Sequence, residues 1–314
     1  MQIIDFTAAH IEQAAQIAKQ NYEEERGFVP ALPPIDTVPD LTPYAENGLG
    51  VAAFESDTMV GFLCSVSLID RPFQIPGILG AYSPLHAHGA LFQNKVRIYA
   101  EMYAAAAEKW VESGASNHAV VLYAHDAEAQ QQFFRYGFGL HGVDAIRETN
   151  DLRIDHVSDF QYTELLPDEF EDIWPLHNLL LDHFQQSPMF ISFPRGTKDE
   201  FRHMNEKQKP RYFAAKHGVT VIAYMKLAKR GETFFSGTRD MMNICGAYLL
   251  PEYRGKGIYG ALLGYTASIL LDEGYARLGV DFESINPTAY GFWLKYFDTY
   301  THSVVRRIGE HAAK

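Results

Sequence analysis

Tyr248-Leu-Leu-Pro-Glu-Tyr-Arg-Gly-Lys-Gly-Ile-Tyr-Gly-Ala-Leu-Leu263 decides how this chain is read. An apolar strand runs into a short turn with glycines at Gly255, Gly257 and Gly260, and a helix follows at once. Glycine lets the backbone approach a bulky ligand closely and take dihedrals that other residues avoid. The first turn of the new helix offers unpaired N–H groups and the positive end of its dipole, a seat suited to phosphates. Arg254 and Lys256 add positive charge beside that seat. The stretch lacks the Gly-Lys-Ser/Thr ending of a nucleotide P-loop. Nor does it fit Gly-x-Gly-x-x-Gly followed by an acidic ribose partner.

The loop does resemble the Arg/Gln-x-x-Gly-x-Gly/Ala signature of the GNAT N-acetyltransferase superfamily. Arg254 and Gly257 match it, with the usual Pro-Glu-Tyr before them at Pro251, Glu252 and Tyr253. Tyr259 stands where the final Gly/Ala is expected. The resemblance implies that acetyl-CoA is the co-substrate. Its pyrophosphate would be held by Arg254, Gly255, Lys256, Gly257, Ile258, Tyr259 and Gly260, after a strand end at Tyr248, Leu249 and Leu250.

Size and composition fit an enzyme of this kind. At 314 residues the chain exceeds one typical domain and suggests two. Hydrophobic residues at 47% can fill two cores, and 21% charged residues without long single-sign runs argue against disorder. A net charge of −12 disfavours nucleic acid, whose binding depends on cations set against phosphate. It suits a positively charged small molecule better. Cys64 and Cys245 are too few for a disulfide framework and too far apart for a metal knuckle. The first residues carry no export signal, and nothing later approaches a run of about 20 apolar residues. No membrane partner is expected, and the location expected is cytoplasmic.

The chain repeats itself. Gly114, Asp126, Ala129, Phe133 and Tyr136 reappear as Gly274, Asn286, Ala289, Trp293 and Tyr296, each offset by 160. Farther upstream, Gly80-Ala-Tyr-Ser-Pro84 echoes Gly246-Ala-Tyr-Leu-Leu-Pro251 with a slipped register. The strand and amphipathic helix of Ile3–Gln20, with Thr7 as N-cap candidate, echo Phe160–Phe184, where Asp168 or Glu169 starts the helix after Pro167. A duplicated domain follows, with units at 1–148 and 158–314 joined by the polar stretch Glu148–Asp159. Each unit reads as strand, helix pair, antiparallel strands, then strand–helix–strand–helix–strand. That order is similar to the GNAT arrangement. The expected fold class is therefore α/β (α+β), two tandem GNAT folds, each a mixed, mostly antiparallel sheet of about seven strands flanked by helices.

The two units differ in competence. In the first, the loop reads Tyr82-Ser-Pro-Leu-His-Ala-His-Gly89-Ala-Leu. Gly89 aligns with Gly257, His86 replaces the Arg, and the flanking glycines are gone, so cofactor binding is not expected there. His86 and His88 have no third ligand nearby, and metal coordination usually needs three or more. In the second unit, Asp281 and Glu283 are two apart and point to one face of their strand, whereas the first unit has Val121 and Tyr123 at these positions. That acidic pair can take a proton from an incoming ammonium, bind the cation, or pair with Arg277 and Lys295 in a structural network.

The resemblance implies direct attack of an amine on the acetyl thioester. A backbone N–H within Tyr248–Leu250 would stabilise the thioester oxygen. The proton for the departing thiolate usually comes from a Tyr seven residues after the Asn that starts the last helix. Counting from Asn286 gives Trp293, which has no transferable proton, and Phe133 in the first unit. Tyr290 and Tyr296 lie about one turn on either side and are the substitutes, with packing as their other reading. Asn286 caps the last helix, with Pro287 behind it, and by the resemblance lies near the pantetheine arm. Trp293 faces either cofactor or core. The acceptor would sit under Gln185–Lys198, where Met189, Phe190 and Phe193 either line a pocket or anchor the loop. His177 and His183, six apart, do not share a helix face and are assigned no chemistry. Two functions remain: an acetyl-CoA-dependent N-acetyltransferase acting on a small amine, or a non-catalytic acyl-CoA-binding module on the same fold.

Overall fold

In a computed structural model the chain is described at residues 1–72, 77–150, 152, 154, 157–309 and 312. The expected linker at 148–159 and the expected unit end at residue 314 fall partly outside these residues. The chain forms two compact units. The first takes residues 1–143, 233–235 and 299–314, and the second takes 144–232 and 236–298. The units therefore do not end where the sequence repeat ends. Each includes the strand that closes the other half of the sequence.

In the first unit, β1 (Gln2–Asp5), β2 (Val51–Glu55), β3 (Thr58–Leu63) and β6 (His88–Ala90) form an antiparallel sheet in that order. A second group pairs β4 (Ile69–Asp70) with β5 (Leu79–Ser83), β5 in parallel with β7 (Ala115–Tyr123), and β7 with the chain's last strand, β14 (Asp298–Arg307). The alternation of β2 sorts its side chains to two layers. Val51 and Ala53 pack with Tyr99, Met102 and Trp110 of α3 (Lys95–Glu112), whereas Ala52 packs with Ile17 and Ala18 of α1 (Ile11–Phe28). The short α2 (Thr42–Glu46) joins the α1 layer through Tyr44. α4 (Ala127–Arg135) joins the α3 layer through Ala129 and Phe133. Thr7 begins a single 3-10 turn, Ala8–His10, that leads into α1.

The second unit has the same element order. β9 (Gln161–Glu164), a 3-10 turn, α5 (Trp174–Gln185) and α6 (Lys198–Gln208) precede β10 (Arg211–His217), β11 (Thr220–Ala228) and β12 (Met241–Leu249). Then come α7 (Ile258–Asp272), β13 (Arg277–Glu283) and α8 (Pro287–Trp293). Glu169, rather than Asp168, does the capping work after Pro167, accepting from Leu166 N–H at 2.8 Å. The sheet runs β13-β12-β11-β10-β9, with β12 and β13 parallel and the remaining pairs antiparallel. β8 (Gly139–Glu148) adds Asp144–Glu148 beside β13. Tyr212 of β10 faces Phe170 and the α5–α6 layer, and its neighbour Phe213 meets Tyr265 of α7 on the opposite face.

Pairing register corrects one sequence expectation. Gly80 pairs with Asn117 and Met241 with Arg277, and 277 − 117 is the repeat offset of 160. Gly80–Pro84 thus corresponds to the start of β12, not to Gly246–Pro251, and the Gly-Ala-Tyr echo is coincidental. The first unit splits the equivalent of β12 into β5 and β6. In the second unit one strand serves both neighbours by carrying a bulge at Cys245: Lys226 pairs with Gly246 and Leu227 with Ile244.

Candidate active site

The last paired residues of β12 and β13 are Ile244 and Val280. Beyond them β12 continues to Leu249 and β13 to Glu283, and the sheet opens. A cavity of about 540 Å³ lies at this opening. Its walls are the end of β12 (Ala247, Tyr248, Leu249), the glycine loop and first turn of α7, the start of α8, and Leu180 and His183 of α5.

The loop has the geometry its residues dictate. Gly255 and Gly257 have φ of +77° and +76°, the left-handed region where a Cβ is penalised. Gly257 is the N-cap of α7, and the first intrahelical bond runs from Ala261 N–H to Gly257 O at 3.0 Å. The amides of Ile258, Tyr259 and Gly260 precede that bond and are the free donors of a helix start. Arg254 lies over the Tyr248 ring at 5.5 Å and donates from Nε to Leu249 O at 3.2 Å, so its charge is held at the cavity wall. Lys256 lies over Tyr253 at 5.3 Å, and neither Lys256 nor Leu250 lines the cavity. Leu250 N–H is instead engaged by Ile222 O at 3.0 Å. At Gly260 a Cβ would come within 3.1 Å of the Tyr296 hydroxyl, so that hydroxyl rests against the first turn of α7. Free α7 amides, a wall-mounted cation and two glycines without side-chain bulk make a fitting seat for a pyrophosphate.

Asn286 caps α8. Its Oδ1 accepts from Thr288 N–H at 3.2 Å, Ala289 N–H at 3.3 Å and the Thr288 hydroxyl at 2.7 Å. Trp293 is buried against Tyr259, Phe292 and Phe297, and part of it lines the cavity. Tyr259 sends its hydroxyl to Tyr224 O at 3.0 Å, which ties α7 to the sheet. Tyr296 lines the cavity; Tyr290 does not, and its ring meets Phe282 at 6.0 Å. Asp281 and Glu283 also stand outside the cavity lining. Burial pushes both carboxyls up, and for Asp281 the charges of Asp144, Glu232 and Glu283 push in the same direction. Of the segment 185–198, Met189 is buried and Phe190 is 74% exposed, so Phe190 anchors nothing.

His183 carried no role in the sequence reading, yet it enters the cavity from α5. Its Nε2 lies 3.3 Å from Thr288 Oγ1 and its ring meets Tyr248 at 6.4 Å. The sequence signal was hidden because the partner is more than a hundred positions away. A larger cavity, about 1050 Å³, lies between Leu165–Glu171 and α6. It has no glycine loop and borders the other end of β10.

The first unit's counterpart is a smaller cavity of about 260 Å³, occupied at its base by an ion-paired lysine. α3 has its N-cap at Asn94, φ +62°, so Asn94 and not Gly89 matches Gly257. Gly89 lies within β6, where a Cβ would strike Asn21 and Ile17 at 2.9 Å. Only residues 91–94 separate β6 from α3, against 250–257 in the second unit, so no phosphate loop can form. Lys95, in the first turn of α3, is bound by Glu24 and Asp126, each at 3.0 Å. His86 meets the Tyr44 hydroxyl at 3.1 Å, and burial pushes it down to about 4. His88 is buried between the Tyr99 hydroxyl and Val121 O. Among the described residues, no three His, Cys, Asp or Glu side chains are grouped to hold a metal.

The family model for the GNAT acetyltransferases matches residues 173–298, the span that contains every wall of this cavity. The second unit is a GNAT-family domain. Among solved structures, the chain resembles a GCN5-related N-acetyltransferase from Sphaerobacter thermophilus at 11% identity and a TM-score of 0.59, covering 97% of this chain and 95% of that one. It also resembles the glucosamine N-acetyltransferase region of a fungal multi-domain β-N-acetylglucosaminidase at 12% identity and a TM-score of 0.53, covering 97% of this chain and 38% of that one. At such identities the likeness speaks to fold. No curated protein sequence matches the chain. Among the described residues no helix is long and apolar enough to cross a membrane.

Proposed function

We propose that the second unit transfers an acetyl group from acetyl-CoA to the amine of a small molecule, and that the first unit is a degenerate copy serving as scaffold. The observation that carries this reading is the convergence of the strand opening, the glycine loop and the α7 start on one cavity. The pyrophosphate would take the amides of Ile258–Gly260 with Arg254, and the pantetheine arm would run beside Asn286 toward the end of β12. There the backbone N–H of Leu249 would meet the thioester oxygen, since Leu250 N–H is engaged by β11 and Tyr248, two residues earlier and opposite Tyr224, faces that same strand. Tyr296, with its hydroxyl at the cavity, would supply a proton to the departing thiolate. Asp281 and Glu283, on the β13 strand beyond the opening, would attract the cationic acceptor, in keeping with the overall charge of −12.

One observation favours a binding-only module instead: the buried indole of Trp293 stands where a proton-donating hydroxyl is usual in this family. A thiol-release assay separates the two. With acetyl-CoA and a panel of primary amines (an alkyl diamine, an aromatic ethylamine, an amino sugar, an amino acid), amine-dependent release of CoA thiol is expected. Binding of acetyl-CoA without release for any amine would leave the binding-only module as the function.

A further inference from the structure

The protons at the cavity can be placed one by one. The Thr288 hydroxyl has a single hydrogen, and it is donated to Asn286 Oδ1 at 2.7 Å. Toward His183 Nε2, 3.3 Å away, Thr288 Oγ1 therefore acts as acceptor, which puts the imidazole hydrogen on Nε2. The His183 ring is also hydrogen-bonded to the Asn286 side chain, whose Oδ1 sits 2.7 Å from Thr288 Oγ1, so both contacts hold the Nε2 side of the ring to the α8 cap and leave the Nδ1 lone pair as the site for a proton. The titratable and charged side chains of the cavity wall are His183 from α5, Tyr248 from β12, Arg254 and Tyr259 from the loop and α7, and Lys295 and Tyr296 after α8. Asp182, next to His183, is paired with Arg195. Burial, and next the charge of Arg254, hold His183 below the ordinary imidazole value, so the ring is neutral at pH 7. Among these wall groups, imidazole is the proton acceptor suited to neutral pH.

We infer that His183 Nδ1 is the general base of the transfer, oriented by the chain of hydrogen bonds His183–Thr288–Asn286 from the cap of α8. The inference rests on the reading of the second unit as an acetyltransferase. Nδ1 takes one proton from the substrate ammonium and passes it to water. The freed amine nitrogen bonds to the thioester carbonyl carbon, the C–S bond breaks with its electron pair on sulfur, and the second amine proton ends on that sulfur. His183 is a catalytic residue in this scheme; Thr288 and Asn286 are positioning residues.

The test uses the full chain and whichever panel amine supports thiol release. In wild type, turnover should fall at low pH along a limb set by one group titrating below the ordinary imidazole value. His183→Gln should lower turnover about 10²-fold, abolish that limb and leave acetyl-CoA affinity in calorimetry unchanged. His183→Gly should regain turnover on addition of free imidazole. Thr288→Val should lower kcat while leaving KM for acetyl-CoA in place. Should His183→Gln bind acetyl-CoA, keep its turnover and keep the acidic limb, the base lies elsewhere although the enzyme reading stands. If wild type binds acetyl-CoA but transfers to no amine, the acetyltransferase reading fails and takes the inference with it.

Discussion

Asp126 and Asn286 cap equivalent helices 160 residues apart, and the difference of one charge between them accompanies opposite fates for the two sites. Asp126 binds the ammonium of Lys95 at 3.0 Å and so places an ion pair in the wall of its own unit's smaller, 260 Å³ cavity. Asn286, uncharged, caps α8 with Oδ1 and leaves the 540 Å³ cavity free while fixing Thr288.

The Lys95 network should be a stability element of the first unit. Its ammonium is 7% exposed, between carboxylates that are 10% and 18% exposed. Lys95→Met leaves both carboxylates without their cation, and breaking such a buried pair costs about 3 kcal/mol. Urea unfolding should show that loss, while acetyl-CoA binding to the folded variant stays as in wild type. Unchanged stability would mean the network contributes nothing.

Asp281 and Glu283 should make the fold less stable as pH rises above the ordinary carboxylate range. Their folded-state pKa values are raised above those of the unfolded chain, mainly by burial. The folded state then binds more protons than the unfolded one. The contribution is full below the ordinary carboxylate value and is lost as pH rises through the raised folded value. Asp281→Asn should flatten the decline of Tm above pH 4; a decline of wild-type steepness would show that other groups cause it.

Substrate binding and proton transfer should separate by residue. Glu283→Gln is expected to raise KM for the amine about fivefold, the upper end of what one solvent-screened ion pair contributes, with kcat little changed. A collapse of kcat at constant KM would instead make Glu283 the base.

Tyr296→Phe should slow release of CoA thiol, because its hydroxyl rests against the first turn of α7 inside the cavity. Tyr290→Phe should not, since Tyr290 is outside the lining. Equal rates for wild type and the Tyr296 variant would show that the thiolate leaves without this acid.

Much of this architecture is legible in the residues. The glycines of 255–260 between two apolar runs point to a tight turn into a helix, and the constant offset marks the duplication. What stayed hidden depends on register and on distance in sequence. The Gly80-Ala-Tyr echo misled because short runs recur by chance, whereas strand pairing sets Gly80 opposite Asn117. The counterpart of Gly257 proved to be Asn94 because α3 begins three residues earlier relative to its end than α7 does, a change no local pattern records. The six-residue spacing of His177 and His183 spoke against a shared helix face. It was silent about Thr288, which reaches His183 only after the sheet opens between β12 and β13.

Titration calorimetry of acetyl-CoA into the full chain tests the central claim most directly. One site per chain is expected, lost in Gly257→Val, where a β-branched side chain would have to adopt φ +76° at the phosphate seat. Two sites per chain, or unchanged affinity in that variant, would contradict the assignment of acetyl-CoA to the second unit.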